Sequence, residues 1–425
     1  MRHVVIMGPM GVGKSTTGRA LAERLGWAYS DSDEEIERTR GMTGGQIAAA
    51  EGIAALHRLE EAVLLRALGA LTPTVITAAA STIESAVVRR ELSVGAVVAV
   101  LTAPTHDVLE RQSAQPHRRT MSVDEYETLE RRRQPWFQAT ADLHLSALRP
   151  TGELVDEIAD HVGRPAAIGF SANLGFLWTD RPLPDAIHAA GVAGFDAVEC
   201  HAPFSAGADA VRAALDDTGL PLLSLNTGTG SRDDDYGLAA MPGREAESRA
   251  LIDEALDFAE AVGCRQVHVL AGRSARSAGA EEAYRSNLAY AADRAAASGR
   301  RVLIEPLNST VTDYHLVHVA DAVRTVTEVG ADNLRIMVDC FHGRMMDGDL
   351  DQVFDLAWPH LGHIQISAYP DRGEPVGGDI DYERLLPALA ERGWTRPFGA
   401  EYTPRNGVDA GLGWLEPWHA RRREQ

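Results

Sequence analysis

A glycine-rich motif close to the N-terminus places the strongest constraint on the fold of this chain. Residues 8–15 read Gly-Pro-Met-Gly-Val-Gly-Lys-Ser, which is the complete G-x-x-x-x-G-K-[ST] pattern of a phosphate-binding loop. The motif follows an apolar run at residues 4–7 and precedes a helical pattern that starts at Thr16. Because such a loop joins a buried strand to the start of a helix, the first part of the chain is predicted to be an α/β domain with a parallel sheet.

The motif also predicts a chemistry. In loops of this kind, backbone N–H groups surround a triphosphate, the lysine reaches the outer phosphates and the hydroxyl after it holds Mg²⁺. ATP and Mg²⁺ are therefore the expected cofactors of the first domain. The expected nucleotide-binding residues of the loop are Gly8, Gly11, Gly13, Lys14, Ser15 and Thr16.

Length and charge narrow the class of protein. With 425 residues, the chain is long enough for two or three domains, and its formal net charge of -20 argues against nucleic acid or an anionic membrane as a partner. No apolar run approaches a membrane span, and three widely spaced cysteines indicate a reducing compartment. We expect a cytoplasmic protein that binds small-molecule substrates, and a homo-oligomer formed through the second domain stays open.

A second pattern begins after residue 163. Eight strand-like runs, most of them followed by a helical stretch, start near residues 166–170 and continue to residues 398–400. Eight strand–helix units in roughly 250 residues are typical of a (β/α)₈ TIM barrel. The predicted architecture is a P-loop domain at residues 1–163, a linker at 163–165 and a TIM barrel at 166–425.

Two acidic residues give the first domain a family likeness. Asp31 and Asp33 end the predicted second strand, and together with the loop they make residues 1–162 resemble the shikimate kinase family. The resemblance implies that Asp31 lies near Mg²⁺, and that Asp33 accepts hydrogen bonds from substrate hydroxyls and orients one of them for transfer. The residues themselves leave a simpler alternative open, in which both carboxylates cap the following helix.

Two arginines extend this likeness. The segment Arg-Gln-Pro-Trp-Phe at residues 133–137 resembles a family segment whose arginine pairs with the substrate carboxylate, which makes Arg133 the expected substrate ligand. Arg111 matches the arginine beside the adenine. An ordinary surface role stays open for each of them.

Other positions depart from the family. Alanines at residues 78–80 replace three glycines, and a substrate arginine falls on Arg58 or is replaced by His57, depending on the alignment. The lid arginine falls on Gln115, with basic residues at 117–119 as substitutes. The acceptor therefore stays open between shikimate and another sugar acid such as gluconate or a tetronate. A module that only senses nucleotide for the second domain is a further alternative.

The predicted barrel carries polar residues at the ends of four strands. Because these ends converge in a TIM barrel, three carboxylates and one amide oxygen would form an all-oxygen site that suits Mg²⁺ or Mn²⁺. Four isolated hydrogen-bonded groups are the alternative. The expected metal ligands of the barrel are Glu305, Asp339, Gln365 and Glu401.

Longer segments make residues 166–414 resemble the hydroxypyruvate isomerases and the related 2-oxotetronate isomerases. They include Glu-Pro-Leu-Asn from residue 305 and Gly-Leu-Gly-Trp at residues 411–414. The resemblance implies that Glu305 and Glu401 form an acid–base pair that moves a proton between neighbouring carbons of an α-hydroxycarbonyl acid, as between hydroxypyruvate and tartronate semialdehyde. Arg372 could clamp the substrate carboxylate. We interpret His268 and His342 as hydrogen-bonded core histidines.

Overall fold

The computed structural model describes residues 2–70, 72–113, 122–163, 167–274 and 276–423. The chain divides into two compact units, the first made of Met1–Ala166 and Gly393–Thr395 and the second of Ala167–Arg392 and Arg396–Gln425. Most of the predicted linker lies outside the described residues, as do Gln115 and residues 117–119. Among the described residues, no helix is long and apolar enough to cross a membrane.

The first unit is built on five parallel strands in the order β2-β3-β1-β4-β5. The strands are β1 (His3–Met7), β2 (Ala28–Asp31), β3 (Thr74–Thr77), β4 (Ala96–Thr102) and β5 (Leu143–Ser146). The helices are α1 (Lys14–Leu25), α2 (Ser32–Arg40), α3 (Gly44–Glu51), α4 (Ile53–Leu68), α5 (Ala86–Gly95), α6 (Thr105–Ser113), α7 (Val123–Thr140) and α8 (Thr151–Val162).

Side chains of the central strand β1 alternate between two cores. Val4 and Ile6 pack in one buried cluster with residues of α1 and α8. Val5 and Met7 pack in another cluster with residues of α4 and α5. A buried parallel sheet covered on both faces needs such apolar runs, so the predicted α/β domain is confirmed.

The second unit is a closed barrel of eight parallel strands in the order β10-β11-β12-β13-β6-β7-β8-β9. The strands are β6 (Phe170–Asn173), β7 (Ala197–Cys200), β8 (Leu222–Asn226), β9 (Gln266–His268), β10 (Arg301–Ile304), β11 (Leu334–Asp339), β12 (Leu361–Ile366) and β13 (Phe398–Ala400). The helices are α9 (Leu183–Val192), α10 (Ala208–Thr218), α11 (Glu245–Val262), α12 (Ala278–Ala296), α13 (Val319–Val329), α14 (Cys340–Met346), α15 (Leu350–Ala357), α16 (Tyr382–Glu391), α17 (Val408–Gly411) and α18 (Glu416–Arg423). The predicted TIM barrel is confirmed.

The first barrel strand differs from its prediction. The apolar run that ends at residue 170 predicted a strand at 166–170, whereas β6 begins at Phe170 and ends at Asn173. Its register explains the shift, because Phe170 pairs with Phe398 of β13 and Ser171 pairs with Ala197 of β7. Ser171 and Asn173 are buried, so the strand brings polar side chains inside the barrel unit where an apolar pattern does not reveal them.

Candidate active sites

The loop of the first unit has a backbone that glycine alone allows easily. Gly8 adopts a φ of +132°, and a Cβ there would lie 2.3 Å from the carbonyl oxygen of Leu101. Gly11 and Gly13 have φ angles of +85° and +102°. Since side chains other than glycine rarely adopt these angles, the sequence folds into this loop only with its glycines in place.

Lys14 begins helix α1 and turns back over the loop. Its Nζ donates to the carbonyl oxygens of Gly8 at 3.0 Å and Pro9 at 3.1 Å. Ser15 and Thr16 lie exposed in the first turn of the helix. The first turn of a helix carries partial positive charge and unpaired N–H groups, so this end suits an anion.

Asp31 gathers several donors at the end of β2. One carboxylate oxygen accepts from Ser15 Oγ at 2.8 Å, Thr77 Oγ1 at 2.7 Å and Tyr29 OH at 3.0 Å, and the other accepts from the backbone N–H of Asp33 at 2.9 Å. Burial opposes ionisation, but hydrogen bonds from Thr77, Ser15 and Tyr29 outweigh it and lower the pKa of Asp31. Asp31 therefore caps α2 and also joins the serine predicted to hold Mg²⁺.

A buried glutamate that sequence reasoning missed lies near Asp33. Glu60 on α4 accepts a hydrogen bond from Ser81, in the short 3₁₀ helix Ala80–Glu84 that follows β3. Burial raises the pKa of Glu60 to about 7; the Ser81 hydrogen bond opposes the rise, the Asp33 charge adds to it, and Arg133 and Lys14 oppose it. These couplings bring Glu60, Asp33, Arg133 and Lys14 into one electrostatic group, in which Asp33 is exposed.

Arg133 is almost fully buried and already has a carboxylate partner. Its Nε donates to Glu84 Oε1 at 2.8 Å, and Arg132 pairs with the same glutamate. His57 lies near this pair: burial and the positive charges of Arg133 and Arg132 lower its pKa, and the charge of Glu84 opposes this. Arg58, one residue further along α4, is exposed. The structure thus brings His57 near Arg133 and leaves Arg58 exposed.

The alanine run and Arg111 complete the first site. Ala79 has an extended backbone with φ of -65°, so the alanines need no left-handed conformation and are unstrained. Only their methyl groups distinguish them from glycines here. Arg111 lies exposed near the end of α6. Its predicted role beside adenine stays a prediction.

The four predicted barrel ligands lie together at the carboxyl ends of adjacent strands. Glu305 follows β10, Asp339 ends β11, Gln365 lies in β12 and Glu401 follows β13. Asp339 pairs in register with Gln365, and Gln365 pairs with Gly399. All four residues are at most 7% exposed. The closed barrel therefore converts four distant sequence positions into one buried polar group.

Glu401 is held by three donors. Asn173 Nδ2 and Gln365 Nε2 each donate to its Oε2 at 2.6 Å, and Arg372 Nη2 donates to its Oε1 at 2.5 Å. Burial nevertheless raises its pKa to about 8; Arg372 opposes the rise, and the charge of Asp339 adds to it. Without a further cation, this carboxyl group tends to keep its proton near neutral pH.

Glu305 is less well satisfied. Its Oε1 has no hydrogen-bond partner among the described residues. Burial, followed by the charges of Glu401 and Asp339, raises the pKa of Glu305 well above its ordinary value. A buried carboxylate with an unpartnered oxygen and two like-charged neighbours is a natural ligand for a divalent cation.

Arg372 reaches this group from the loop after β12. Its Nη2 donates to Asp339 Oδ2 at 3.0 Å as well as to Glu401. The guanidinium lies 4.9 Å from the ring centre of Phe176 and 5.2 Å from that of Phe341, which fixes it between two aromatic faces. The predicted substrate arginine is thus inside the site, where its role as a clamp stays a prediction.

The interpretation of His268 as a hydrogen-bonded core residue is wrong. Both of its ring nitrogens are buried without a hydrogen-bond partner among the described residues, and Nδ1 lies 3.7 Å from Glu305 Oε2. Burial lowers the pKa of His268 to about 3, so the ring is neutral. A histidine that follows an apolar residue in a strand is usually hydrogen-bonded, so the sequence does not indicate these unpartnered nitrogens. Here it faces the carboxylates.

His342 is hydrogen-bonded, and the bond determines its tautomer. Its Nδ1 accepts from the backbone N–H of Asn308 at 3.2 Å, so in the neutral ring the proton is on Nε2. That nitrogen lies 3.5 Å from Asp339 Oδ2 and 3.9 Å from Glu305 Oε1. Burial lowers the pKa of His342 to about 4. The neutral ring thus points an N–H donor at the carboxylates.

Two residue sets in the barrel could hold a metal ion. Ligand atoms of Glu305, Asp339 and His342 all lie within 4.8 Å of one another. A metal-binding histidine needs a lone pair on the ligating nitrogen, and the Asn308 contact disfavours one on His342 Nε2. Gln365 instead has a buried Oε1 with no hydrogen-bond partner among the described residues. The oxygen donors of the predicted set therefore fit Mg²⁺ or Mn²⁺ better.

Two further barrel residues were missed from the sequence. Glu199 in β7 and Asn173 at the end of β6 hydrogen-bond Gln365 and Glu401, respectively. Glu199 left one signal, because a carboxylate between Val198 and Cys200 is unusual in an apolar strand. Asn173 left none beyond its place at a strand end.

Comparisons with known proteins match the two units separately. The family described as xylose isomerase-like TIM barrel matches residues 187–418, more than half of the chain. The chain belongs to this family. The shikimate kinase family matches residues 10–163, which implies ATP and Mg²⁺ for the first unit. A kinase-like domain and an isomerase-like domain are thus fused in one chain.

Individual relatives agree for the barrel. A 2-oxo-tetronate isomerase from Cupriavidus necator is 39% identical over 257 residues, 59% of this chain and 99% of that protein. A putative hydroxypyruvate isomerase from Mus musculus is 36% identical over 269 residues, 60% of this chain and 97% of that protein. A crystal structure described as AP endonuclease, family 2, from Brucella melitensis has a TM-score of 0.57 and 34% identity, and it covers 60% of this chain and 99% of its own.

Proposed function

We propose that the protein is a bifunctional enzyme, in which the first unit phosphorylates a small hydroxy acid with ATP and the barrel isomerises an α-hydroxycarbonyl acid with the help of Mg²⁺ or Mn²⁺. The observation that carries the barrel proposal is the group of buried carboxylates that includes an unpartnered oxygen of Glu305. The observation that carries the kinase proposal is the bond between Ser15 Oγ and Asp31 Oδ2 beside an intact loop.

In the first unit, each residue has a separate task. The N–H groups around Gly11 and Gly13 and the ammonium of Lys14 bind the phosphates, and Ser15 with Asp31 holds Mg²⁺. Asp33 orients the acceptor hydroxyl for in-line attack on the outer phosphate. When nucleotide binds, the ammonium of Lys14 is expected to leave the carbonyl oxygens of Gly8 and Pro9 and bind phosphate oxygens. Lys14 is the one lysine of the chain, so no other lysine side chain contributes to its spectroscopic signal.

The acceptor is proposed to be a hydroxy acid other than shikimate, such as gluconate or a tetronate. Where the family has a substrate arginine, this chain offers the exposed Arg58 or His57, and burial lowers the pKa of His57 and so disfavours its charged form. Arg133, the remaining candidate for the acceptor carboxylate, already pairs with Glu84. A shikimate carboxylate would therefore compete with Glu84 for Arg133, and it would lack the second arginine that the family provides.

In the barrel, Glu305 and Glu401 exchange protons with neighbouring carbons of the substrate, an intramolecular oxidation and reduction. A bound divalent cation would polarise the carbonyl and hydroxyl oxygens and make the adjacent C–H more acidic. Asp339 and Gln365 complete the ligand set, and Arg372 binds the substrate carboxylate. The substrate class is that of hydroxypyruvate and tartronate semialdehyde, with 2-oxotetronates as the alternative.

An acceptor screen tests the kinase half and its rival. ADP release is measured with shikimate, gluconate and tetronates, while the signal of nitrogen-15-labelled Lys14 reports ATP binding. Transfer to one of these acids supports a kinase. ATP binding that shifts the lysine signal, with no transfer to any acid and with a change in isomerase rate, would instead support a nucleotide-sensing module.

A further inference from the structure

Glu199 is a buried charge for which the proposed proton transfer has no use. Its side chain is 1% exposed, and it lies on β7, which β6 separates from β13 in the closed barrel. Its Oε1 accepts from Ser171 Oγ at 2.7 Å, and its Oε2 contacts His363 Nε2 at 3.1 Å. Since an ionised carboxylate is costly to bury, three polar side chains gathered around it indicate a specific task.

The third of these contacts, with Gln365, reveals that task. Gln365 Nε2 donates to Glu199 Oε2 at 2.7 Å and to Glu401 Oε2 at 2.6 Å. An ionised carboxylate only accepts hydrogen bonds, so Glu199, surrounded by Ser171, His363 and Gln365, requires the NH₂ side of the amide. The amide oxygen must then face the other way, and Gln365 Oε1 is indeed buried without a hydrogen-bond partner among the described residues.

We infer that Glu199 is a positioning residue that holds the Gln365 amide with its oxygen turned toward the divalent cation. The inference rests on the metal-dependent isomerisation proposed above. Glu401 alone cannot ensure this orientation, because as a ligand it also turns toward the cation and Arg372. Ser171 and His363 hold the Glu199 carboxylate in place on the side away from the cation ligands, which makes it the fixed anchor of the amide.

The neighbouring backbone is shaped to admit this anchor. A Cβ at Gly399 would lie 2.2 Å from Glu199 Oε1 and 2.8 Å from Gln365 Cγ. Any larger residue at position 399 would displace the carboxylate of Glu199, the side chain of Gln365 or both. The absence of a side chain at Gly399 therefore leaves room for the contact between Glu199 and Gln365.

A double-mutant cycle on metal affinity tests the inference. Mn²⁺ binding to chelated full-length protein is measured by calorimetry without substrate, in a Ser15→Ala background that removes the magnesium ligand of the first unit. Residues that orient metal ligands typically change affinity by about 10- to 100-fold, and we expect a loss in this range for Glu199→Ala. In a Gln365→Ala background the same change should have almost no further effect, because there is no amide left to orient.

Controls separate orientation from charge and folding. Ser171→Ala removes a donor from the other oxygen of Glu199 and should change Mn²⁺ affinity by less than about threefold. A pure charge effect would lower affinity equally in both backgrounds, and such additivity would overturn the inference. If Glu199→Ala fails to fold, Glu199→Gln provides a weaker acceptor of the same shape, with a smaller loss that again must disappear with Gln365→Ala. If the parent protein binds no Mn²⁺, the proposed function itself fails.

Discussion

Both units place carboxylates at the carboxyl ends of parallel strands, but the two groups have opposite electrostatics. Asp31 accepts five hydrogen bonds, and these outweigh the opposing effect of burial and lower its pKa. In the barrel, burial and like charges raise the pKa of Glu401 to about 8 and that of Glu305 well above its ordinary value. A carboxylate at the end of a parallel strand is thus stabilised in its ionised form by hydrogen bonds in one unit. In the other unit, the carboxylates lack enough positive charge to favour ionisation.

The difference shows what each site needs from its ligand. In the first unit, hydrogen-bond donors of the protein keep Asp31, the proposed magnesium ligand, ionised before nucleotide binds. The barrel places three carboxylates around one arginine, and a divalent cation would supply the missing charge. We therefore expect the first site to fail when a phosphate ligand is lost, and the barrel to fail when a carboxylate or the metal is lost.

The largest expected effect is on the barrel glutamates. Glu305→Gln and Glu401→Gln should each lower isomerisation by roughly 10²- to 10⁴-fold, because an amide cannot take part in proton transfer. Interconversion of hydroxypyruvate and tartronate semialdehyde is the assay, and ADP release by the first unit should be unchanged. Glu282→Gln, on the exposed surface of α12, is the matched control. Parental isomerisation in either site variant would remove that glutamate from the mechanism.

The reciprocal test is on the loop. Lys14→Met should lower phosphoryl transfer on the order of 10²- to 10³-fold, because Lys14 stabilises charge that grows on the phosphates in the transition state. Isomerase activity should stay within about twofold, since the change lies in the other unit. ADP formation with the best acceptor gives the measurement. Unimpaired turnover would contradict the assignment of this loop.

A smaller effect is expected for substitutions that alter the preference of the first unit for its phosphate acceptor. We expect shikimate to be a poor acceptor, and His57→Arg to raise its kcat/KM by about ten- to hundredfold, the value of one charged hydrogen bond of about 1.5–3 kcal/mol. Arg58→Ala, at the exposed neighbouring position, should change it by less than about twofold. The comparison fails if shikimate is the best acceptor of the unchanged protein, or if Arg58→Ala is the more damaging variant.

The smallest effect concerns pH and stability of the chelated protein. The pKa of Glu401 is raised from 4.5 to about 8, so between these pH values the folded state holds a proton that the unfolded state has released. The free energy of unfolding should therefore decrease as pH rises from 4.5 to about 8. Saturating Mn²⁺ should reduce the fall. Asp31 has the opposite sign, since its lowered pKa adds stability that is lost as pH falls below 3.8. Urea unfolding at several pH values checks this, and a barrel whose stability rises across the same window would contradict it.

Much of this architecture could be predicted because its signals are local. The glycine loop and the apolar strands are continuous in sequence, and Glu305, Asp339, Gln365 and Glu401 each lie at the end of such a strand. The rest depends on which distant residues meet. Arg133 and Glu84 are 49 residues apart, and Glu199 and Gln365 are 166 residues apart. No local pattern specifies such partners.

The choice between His57 and Arg58 shows the same limit on a smaller scale. Both positions lie on α4, and their alignment with the family is ambiguous by one residue. One residue rotates a helix by about 100°, so only the packing of α4 decides which side chain faces Arg133. The half-buried His57 and the exposed Arg58 give the answer that the sequence left open.

Metal dependence of the barrel tests the central claim most directly. The protein is stripped with a chelator, and isomerisation of hydroxypyruvate and of 2-oxotetronates is followed during a Mn²⁺ titration without nucleotide. We predict negligible activity in the stripped protein and saturable recovery at one equivalent of Mn²⁺ per barrel. Full activity in metal-free protein would contradict the view that the carboxylates of Glu305, Asp339 and Glu401 are arranged for a divalent cation.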